Sequence, residues 1–266
     1  MVYETIGNSP VDWAGKSYPA IKDIAAQDDS ILIVPVASLE QHGYHLPTAT
    51  DTILVDAVSH LGAEQVSDEI PLLITPPVWS GYSPHHMSFG GTVTIAFEQA
   101  LHVLEDITHA ALTNGFDTLL LVNGHGGNRP LIATATQTIG NAHPDIEVLG
   151  LTYFELGQYF MDELRDSERG GIAHGGELET SMMLHLRPDL VDEDAIAVNY
   201  WDNPYGKYAA SDLLGSGVLS ANLDIGADSD SGTLGDPSLA SAEKGEVMVE
   251  AYTEEMAELL RTIAAA

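Results

Sequence analysis

The chain contains no cysteine. That excludes disulfides, thiolate zinc sites and a thiol nucleophile. Cations are also scarce: 9 Lys+Arg stand against 40 Asp+Glu in 266 residues, a formal net charge of -31. Such a surface repels phosphate backbones and anionic membranes, which argues against nucleic-acid and membrane partners. No apolar run approaches the ~18 residues of a membrane span. Residues 1–30 lack the basic start and apolar stretch of a targeting segment, so a cytoplasmic location is expected. The nucleophile elbow G-x-S-x-G and the phosphate loop G-x-G-x-x-G are missing too. Ser216, in GSG, has neither the elbow pattern nor a strand before it.

Charged residues are only 18 % of the chain, so the acidity comes from missing cations as much as from added anions. In a folded protein this reads as adaptation to molar salt, where self-repulsion is screened. Folding should then depend on salt.

What is present is enough for a core. Hydrophobic residues make up 44 %, and the length suits one domain spanning residues 1–266. ILIVPV, residues 31–36, is branched and continuously apolar, the pattern of a strand buried on both faces. Residues 119–122 repeat it, with weaker candidates at 146–151 and 72–75. Apolar residues at helical spacing run from Phe97 to Ala111, with Gly115 closing the helix. Residues 52–66 and 129–141 read as further helices, and 237–266 as a long amphipathic one. Strands alternating with helices predict an α/β fold with a mostly parallel sheet covered on both faces. Sites in such sheets lie beyond the carboxyl ends of the strands. Residues 200–236, rich in Gly, Ser, Asp, Asn and Tyr, are either a surface loop or a segment that covers the site or a subunit contact. The acidic stretch at 227–232 reads as a solvated face.

Six of the 11 histidines fall in four glycine-containing segments. SLEQHGYHLPTATD follows the first strand with Glu40, His42, His45 and Asp51. WSGYSPHHMSFGGT carries His85 and His86, NGHGGN carries His125 after the second buried strand, and IAHGGELETS carries His174, Glu177 and Glu179. Carboxylates with imidazoles suit zinc, manganese and similar cations. Glu40 and His42 are two apart, so in an extended loop both reach one centre. Asp51 can fold back onto it from the next helix. Ser83, His85 and His86 line a pocket or belong to a polar surface loop. His60, His102, His109, His143 and His185 have no ligand-like company and read as structural or solvent-facing.

These segments resemble the creatininase (creatinine amidohydrolase) family. LEQHG-x-HLP followed by Asp51, then FGGTVTI, NGHGGNRP, HGGELETS and SGTLGDPSLASAEKGE run nearly end to end. The resemblance implies a three-layer α-β-α sandwich and a binuclear centre of two divalent metals, zinc or manganese or both. It also implies hydrolysis of an amide, often cyclic, by a water shared between the metals, and assembly as a hexamer. On the matching positions, Glu40, His42, Asp51 and His125 correspond to metal ligands, with Asp51 the bridge. His174 corresponds to the catalytic histidine, proton donor to the leaving nitrogen. Glu179 corresponds to the glutamate of the ETS segment.

Two positions depart from creatinine-hydrolysing members. The glutamate they carry two residues after the NGH histidine is Gly127 here. Glu179, then Glu177, is the expected substitute. On one helix these two project about 200° apart, so one of them can face the metals. Of two tryptophans near the substrate, one position holds Phe154 and the other Gly170, which would leave a wider, more mobile entrance. Phe154 and Tyr153 pack on a planar substrate or, for one of them, in the core. The alternative substrates are a formylaminopyrimidine, as in flavin or deazaflavin synthesis, and a cofactor-precursor peptide.

Overall fold

The computed structural model describes residues 8–215, 217–222 and 224–266; Ser216 of the GSG triplet and residues 1–7 of the start lie outside them. Four parallel strands, β1 (Ile31–Val36), β2 (Leu72–Ile74), β3 (Thr118–Asn123) and β4 (Glu147–Thr152), form one sheet in the order β2-β1-β3-β4. β1 and β3 are buried along their whole length, as their unbroken apolar runs require. Ile31, Ile33, Leu120 and Val122 point to one face, and Leu32, Val34, Leu119 and Leu121 to the other.

Each face is covered. The first packs against α2 (Thr50–Val66), α6 (Glu177–Leu186) and α8 (Ala242–Ala264), through Leu54, Val58, Met182, Met248, Tyr252 and Met256. The second packs against α1 (Tyr18–Ala25), α3 (Phe97–Leu112) and α4 (Arg129–Ala142), through Ile21, Leu104, Leu131 and Ile139. The result is the expected three-layer α/β arrangement. Two single-turn helices, α5 (Met161–Leu164) and α7 (Ile225–Asp228), lie in the connections. The C-terminal helix begins five residues later than the apolar pattern implied. Pro237 starts a separate turn, and the Ser241 side chain caps α8 by accepting from Lys244 N at 3.2 Å.

The strand order sets the place of the site. The chain leaves β1 toward β2 through α2, and leaves β3 toward β4 through α4 on the opposite face. β1 and β3 are therefore neighbours whose connections diverge, which opens a crevice beyond their carboxyl ends. Their register, with Val36 beside Asn123, brings both ends to one level. Among the described residues no helix is long and apolar enough to cross a membrane.

Candidate metal centre

Three connections deliver side chains into this crevice. The loop after β1 brings Glu40, Gln41 and His42, and α2 begins just beyond it with Asp51 in its first turn. The turn after β3 brings His125. Asn123 shapes that turn: its side chain accepts from His125 N at 3.1 Å and donates to His125 O at 2.7 Å. Gly124 lets α2 come close, since a Cβ there would lie 2.7 Å from Val55 Cβ. The segment before α6 brings His174, and the first turn of α6 brings Glu179.

These groups are buried and meet. Glu40 Oε2 lies 3.1 Å from His125 Nδ1, and Asp51 Oδ2 lies 3.3 Å from the same nitrogen. On the other side, His42 Nε2 is 3.1 Å from Asp51 Oδ1 and 3.8 Å from Glu179 Oε1. Donor atoms of Glu40, Asp51 and His125 all lie within 4.8 Å of one another, as do those of His42, Asp51 and Glu179, and those of Glu40, His42 and His174. Asp51 belongs to the first two sets. Glu40 Oε2 and Asp51 Oδ2 are buried with no hydrogen-bond partner. An unpartnered buried carboxylate oxygen is costly unless a cation takes it. The residues present therefore suit a divalent metal.

Surrounding bonds aim each ring. His42 Nδ1 donates to Glu40 O at 3.1 Å, which leaves Nε2 facing Asp51. His125 Nε2 meets Ser83 Oγ at 3.0 Å and Tyr82 O at 3.2 Å, which leaves Nδ1 facing the carboxylates. Metal-binding histidines are commonly fixed through the second nitrogen in this way. His174 Nε2 donates to Gln41 O at 2.8 Å, so its Nδ1 is the open atom.

Electrostatics agree with a cation site. Burial opposes charge on Glu40, but His125 and His86 beside it hold its carboxyl well below the usual range. Burial also pulls His125 and His42 down, yet the carboxylates win. His125 is raised to about 10 by Glu40 and Asp51, and His42 well above its ordinary value by Asp51 and Glu179. Protons there occupy the place a divalent ion would take. His174 is the opposite case: burial and the neighbouring charges of His42 and His86 depress it, so it stays neutral.

The two glutamates of α6 divide as their helical separation predicts. Glu179 enters the cluster. Glu177 turns away and accepts from the backbone N–H groups of Asp166 and Ser167 at 2.9 and 2.8 Å, and pairs with Lys244.

The site opens into a cavity of about 610 Å³, with Glu40, Asp51, His125, His174 and Glu179 in its lining. His86 lies on the wall, its Nε2 3.2 Å from Glu40 Oε1. Three expectations change. Ser83 is buried behind His125, between that ring and Ser38 Oγ, and is absent from the wall. Phe154 lies in the core, because residues 153–159 form a 3-10 turn rather than a strand; Tyr153 is buried beside it. Gly170 does not open the entrance either. It sits off the cavity with φ +99, where side chains are strained. An aromatic wall comes instead from Trp201.

Three participants were missed by sequence reasoning: Gln41, Arg129 and Trp201. The Gln41 amide donates to Gly232 O at 3.0 Å and meets His86 Nδ1 at 2.8 Å. Its signal was its place between Glu40 and His42. The 200–236 segment supplies part of the wall, with Trp201, Asp212, Asn222 and Leu234 in the lining. A two-way pairing of Leu234 with the His174 backbone ties it to the site. In the acidic stretch Asp228 and Asp230 face out, while Ser229 and Ser231 are buried.

A parallel α/β sheet with buried carboxylates and imidazoles at its switch point fits a metal-using hydrolase. The family model for creatininase (creatinine amidohydrolase) matches residues 15–260. The chain belongs to the creatininase family. It is 30 % identical over 250 residues to the creatinine amidohydrolase of Pseudomonas putida, covering 89 % of this chain and 90 % of that one. It is 32 % identical over 219 residues to the mycofactocin precursor peptide peptidase of Mycobacterium ulcerans (strain Agy99), covering 80 % and 78 %. A mutant creatininase of the Zn-Zn type and a manganese creatininase each superpose with a TM-score of 0.81 at 27 % identity, covering 95 % of this chain and 97 % and 98 % of theirs.

Proposed function

We propose that the chain hydrolyses an amide with two divalent ions, zinc or manganese. Glu40, Asp51 and His125 hold one, and His42, Asp51 and Glu179 the other. The observation that carries this is the shared Asp51, whose Oδ2 is buried and unpartnered at the junction of the two donor sets. Bound there, such ions polarise a carbonyl and lower the pKa of water from about 15.7 to about 7.

The protein's own groups supply the rest. His174, neutral and anchored through Nε2, offers an unprotonated Nδ1 that would take a proton from the attacking water and hand it to the leaving nitrogen. Glu40 receives His86 and faces His125 and His174, which fixes three rings around one carboxylate. Leu234 and Gln41 anchor His174, so its Nδ1 keeps its aim.

A cyclic amide such as creatinine is the first substrate to test. A second reading, a sibling activity on a larger formamide or peptide, is favoured by the cavity, which a small cyclic amide would leave mostly to water. At Gly127 a Cβ would lie 2.7 Å from His85 Cε1, so the imidazole of His85 takes the room that a longer side chain would need.

The test is creatinine hydrolysis by folded, metal-loaded protein beside His125→Ala. Turnover in the parent and none in the variant supports the first reading. No turnover on creatinine, with hydrolysis of a formamide or short peptide, supports the second. No amide hydrolysis at all defeats both. His174→Ala should remove turnover and keep the metal; metal lost with it would make His174 a ligand.

A homo-oligomer, the hexamer of the resemblance, is part of the same proposal. Exposed Tyr205, Tyr208 and Val218 around the cavity segment support it, and sedimentation tests it. The cation deficit supports salt-dependent folding; a melting temperature unchanged between low and molar KCl would defeat that.

A further inference from the structure

The cavity wall holds one Lys or Arg among its described residues, Arg129. In a chain with only 9 such residues this placement is informative. Other cations are spent elsewhere: Arg165 on Asp212, Arg187 on Asp189, Arg261 on Glu69, and Lys244 on Glu177 and Asp166. Arg129 begins α4, directly after the turn that carries His125. Its guanidinium lies 5.1 Å above the Phe154 ring, which holds it flat. Nη2 donates to Leu213 O and pairs with Glu155 Oε1 at 3.0 Å. Nε is buried with no partner. Among the described residues Nη1 has no hydrogen-bond partner, so that end of the guanidinium is open to the cavity.

Of the acids nearby, the half-exposed Glu155 engages Nη2 alone, and those of the cavity wall do not reach the guanidinium's free end. Asp212 is taken by Arg165 and by the N–H groups of Gly170 and Ile172. Asp224 accepts from Gly226 N. The carboxylates of the floor are those assigned to metal. The first turn of α4 adds positive potential at the same place.

We propose that the substrate carries an anionic group, a carboxylate or a phosphate, which Arg129 receives on the cavity wall while the amide lies at the floor. This rests on the amidohydrolase reading and narrows it: the group that is cleaved and the group that is held are different parts of one molecule. A free guanidinium N–H suits an oxygen of a carboxylate or a phosphate, as a charge-assisted hydrogen bond. Neutral creatinine has no group for it, and a peptide carboxylate or a phosphorylated formamide does.

The experiment titrates inorganic phosphate and acetate into the metal-loaded protein by calorimetry, with Arg129→Gln, Arg129→Lys and Arg187→Gln alongside. Arg187 is exposed and serves as the control. Binding should weaken roughly ten- to hundredfold in Arg129→Gln, as for loss of a charge-assisted hydrogen bond. It should weaken less in Arg129→Lys and stay unchanged in Arg187→Gln. Tighter phosphate than acetate points to a phosphorylated substrate, and the reverse to a carboxylate. Equal binding in the parent and Arg129→Gln places the anion on the metals and overturns the proposal, as does no binding in the parent. If Arg129→Gln does not fold, Arg129→Lys decides, and unchanged binding there overturns it. Anion binding that depends on Arg129 in a protein that cleaves no amide would defeat the amidohydrolase reading and leave this site standing.

Discussion

His60 and His125 each lie between two carboxylates. His60 on α2 has Nε2 2.7 Å from Asp12 Oδ1 and Nδ1 3.2 Å from Asp56 Oδ1. His125 has Glu40 and Asp51 at 3.1 and 3.3 Å. The residue types and distances nearly match, and the outcomes differ. At His60 each ring nitrogen has its own acceptor, and Asp56 is 45 % exposed, so water finishes the work. At His125 both carboxylates crowd one nitrogen, and two of their oxygens are buried and unanswered. Composition does not make a metal site. An excess of buried acceptors over donors does.

The sharpest way to break the contrast is within α6. Glu179→Gln should empty one side of the centre, read as lost metal in the purified protein and near-complete loss of turnover. Glu177→Gln should keep the metal and lower stability by about 1–3 kcal/mol, because Lys244 loses its buried partner. Equal metal loss in both would end the division of roles.

A smaller effect is expected at Ser83. If its hydroxyl holds His125 through Nε2, Ser83→Ala should weaken metal binding roughly ten- to hundredfold without changing which substrate is accepted. A shift in substrate preference at unchanged metal affinity would return Ser83 to the cavity wall.

The smallest concerns His60. Burial pulls its pKa down, but Asp56 and Asp12 raise it to about 9 from 6.5. A raised folded-state value stabilises fully below the unfolded pKa and fades as pH rises through the folded one. Stability should therefore fall between pH 6.5 and 9. His60→Gln should cost about 1 kcal/mol, allowing for the solvent exposure of this pair, and flatten that slope. Metal content should stay the same. A variant that also loses metal would show that the two clusters are coupled.

Much of this was legible beforehand. β1, β3 and α3 stood out because a strand buried on both faces is continuously apolar and a half-buried helix is periodic. The edge strand β4 is only partly buried, so its pattern was weak and its start fell one residue late. β2 is three residues long, too short to carry a period. In the centre, Glu40, His42, Asp51, His125, His174 and Glu179 could be picked out because each sits at the end of an element. Ser83 and Phe154 were misplaced for a simple reason. Nearness along the chain to a site does not say which way a side chain turns, and both turned toward neighbours distant in sequence. Arg129 and Trp201 gave no sign as single letters; their meaning arises where residues 201–234 close over the sheet.

That closure separates two jobs along the chain. The floor, where the proposed chemistry falls, is built by residues 40–51, 125 and 174–179, locked to the sheet and to α6. Much of the wall belongs to one later stretch, tied down where Leu234 meets His174 and where Asp212 meets Arg165, Gly170 and Ile172. Such a molecule can change its diet without retraining its teeth. Exchanging residues 201–231 for those of a relative should carry over the choice of guest and leave the reaction as it was, and descent could have used the same shortcut.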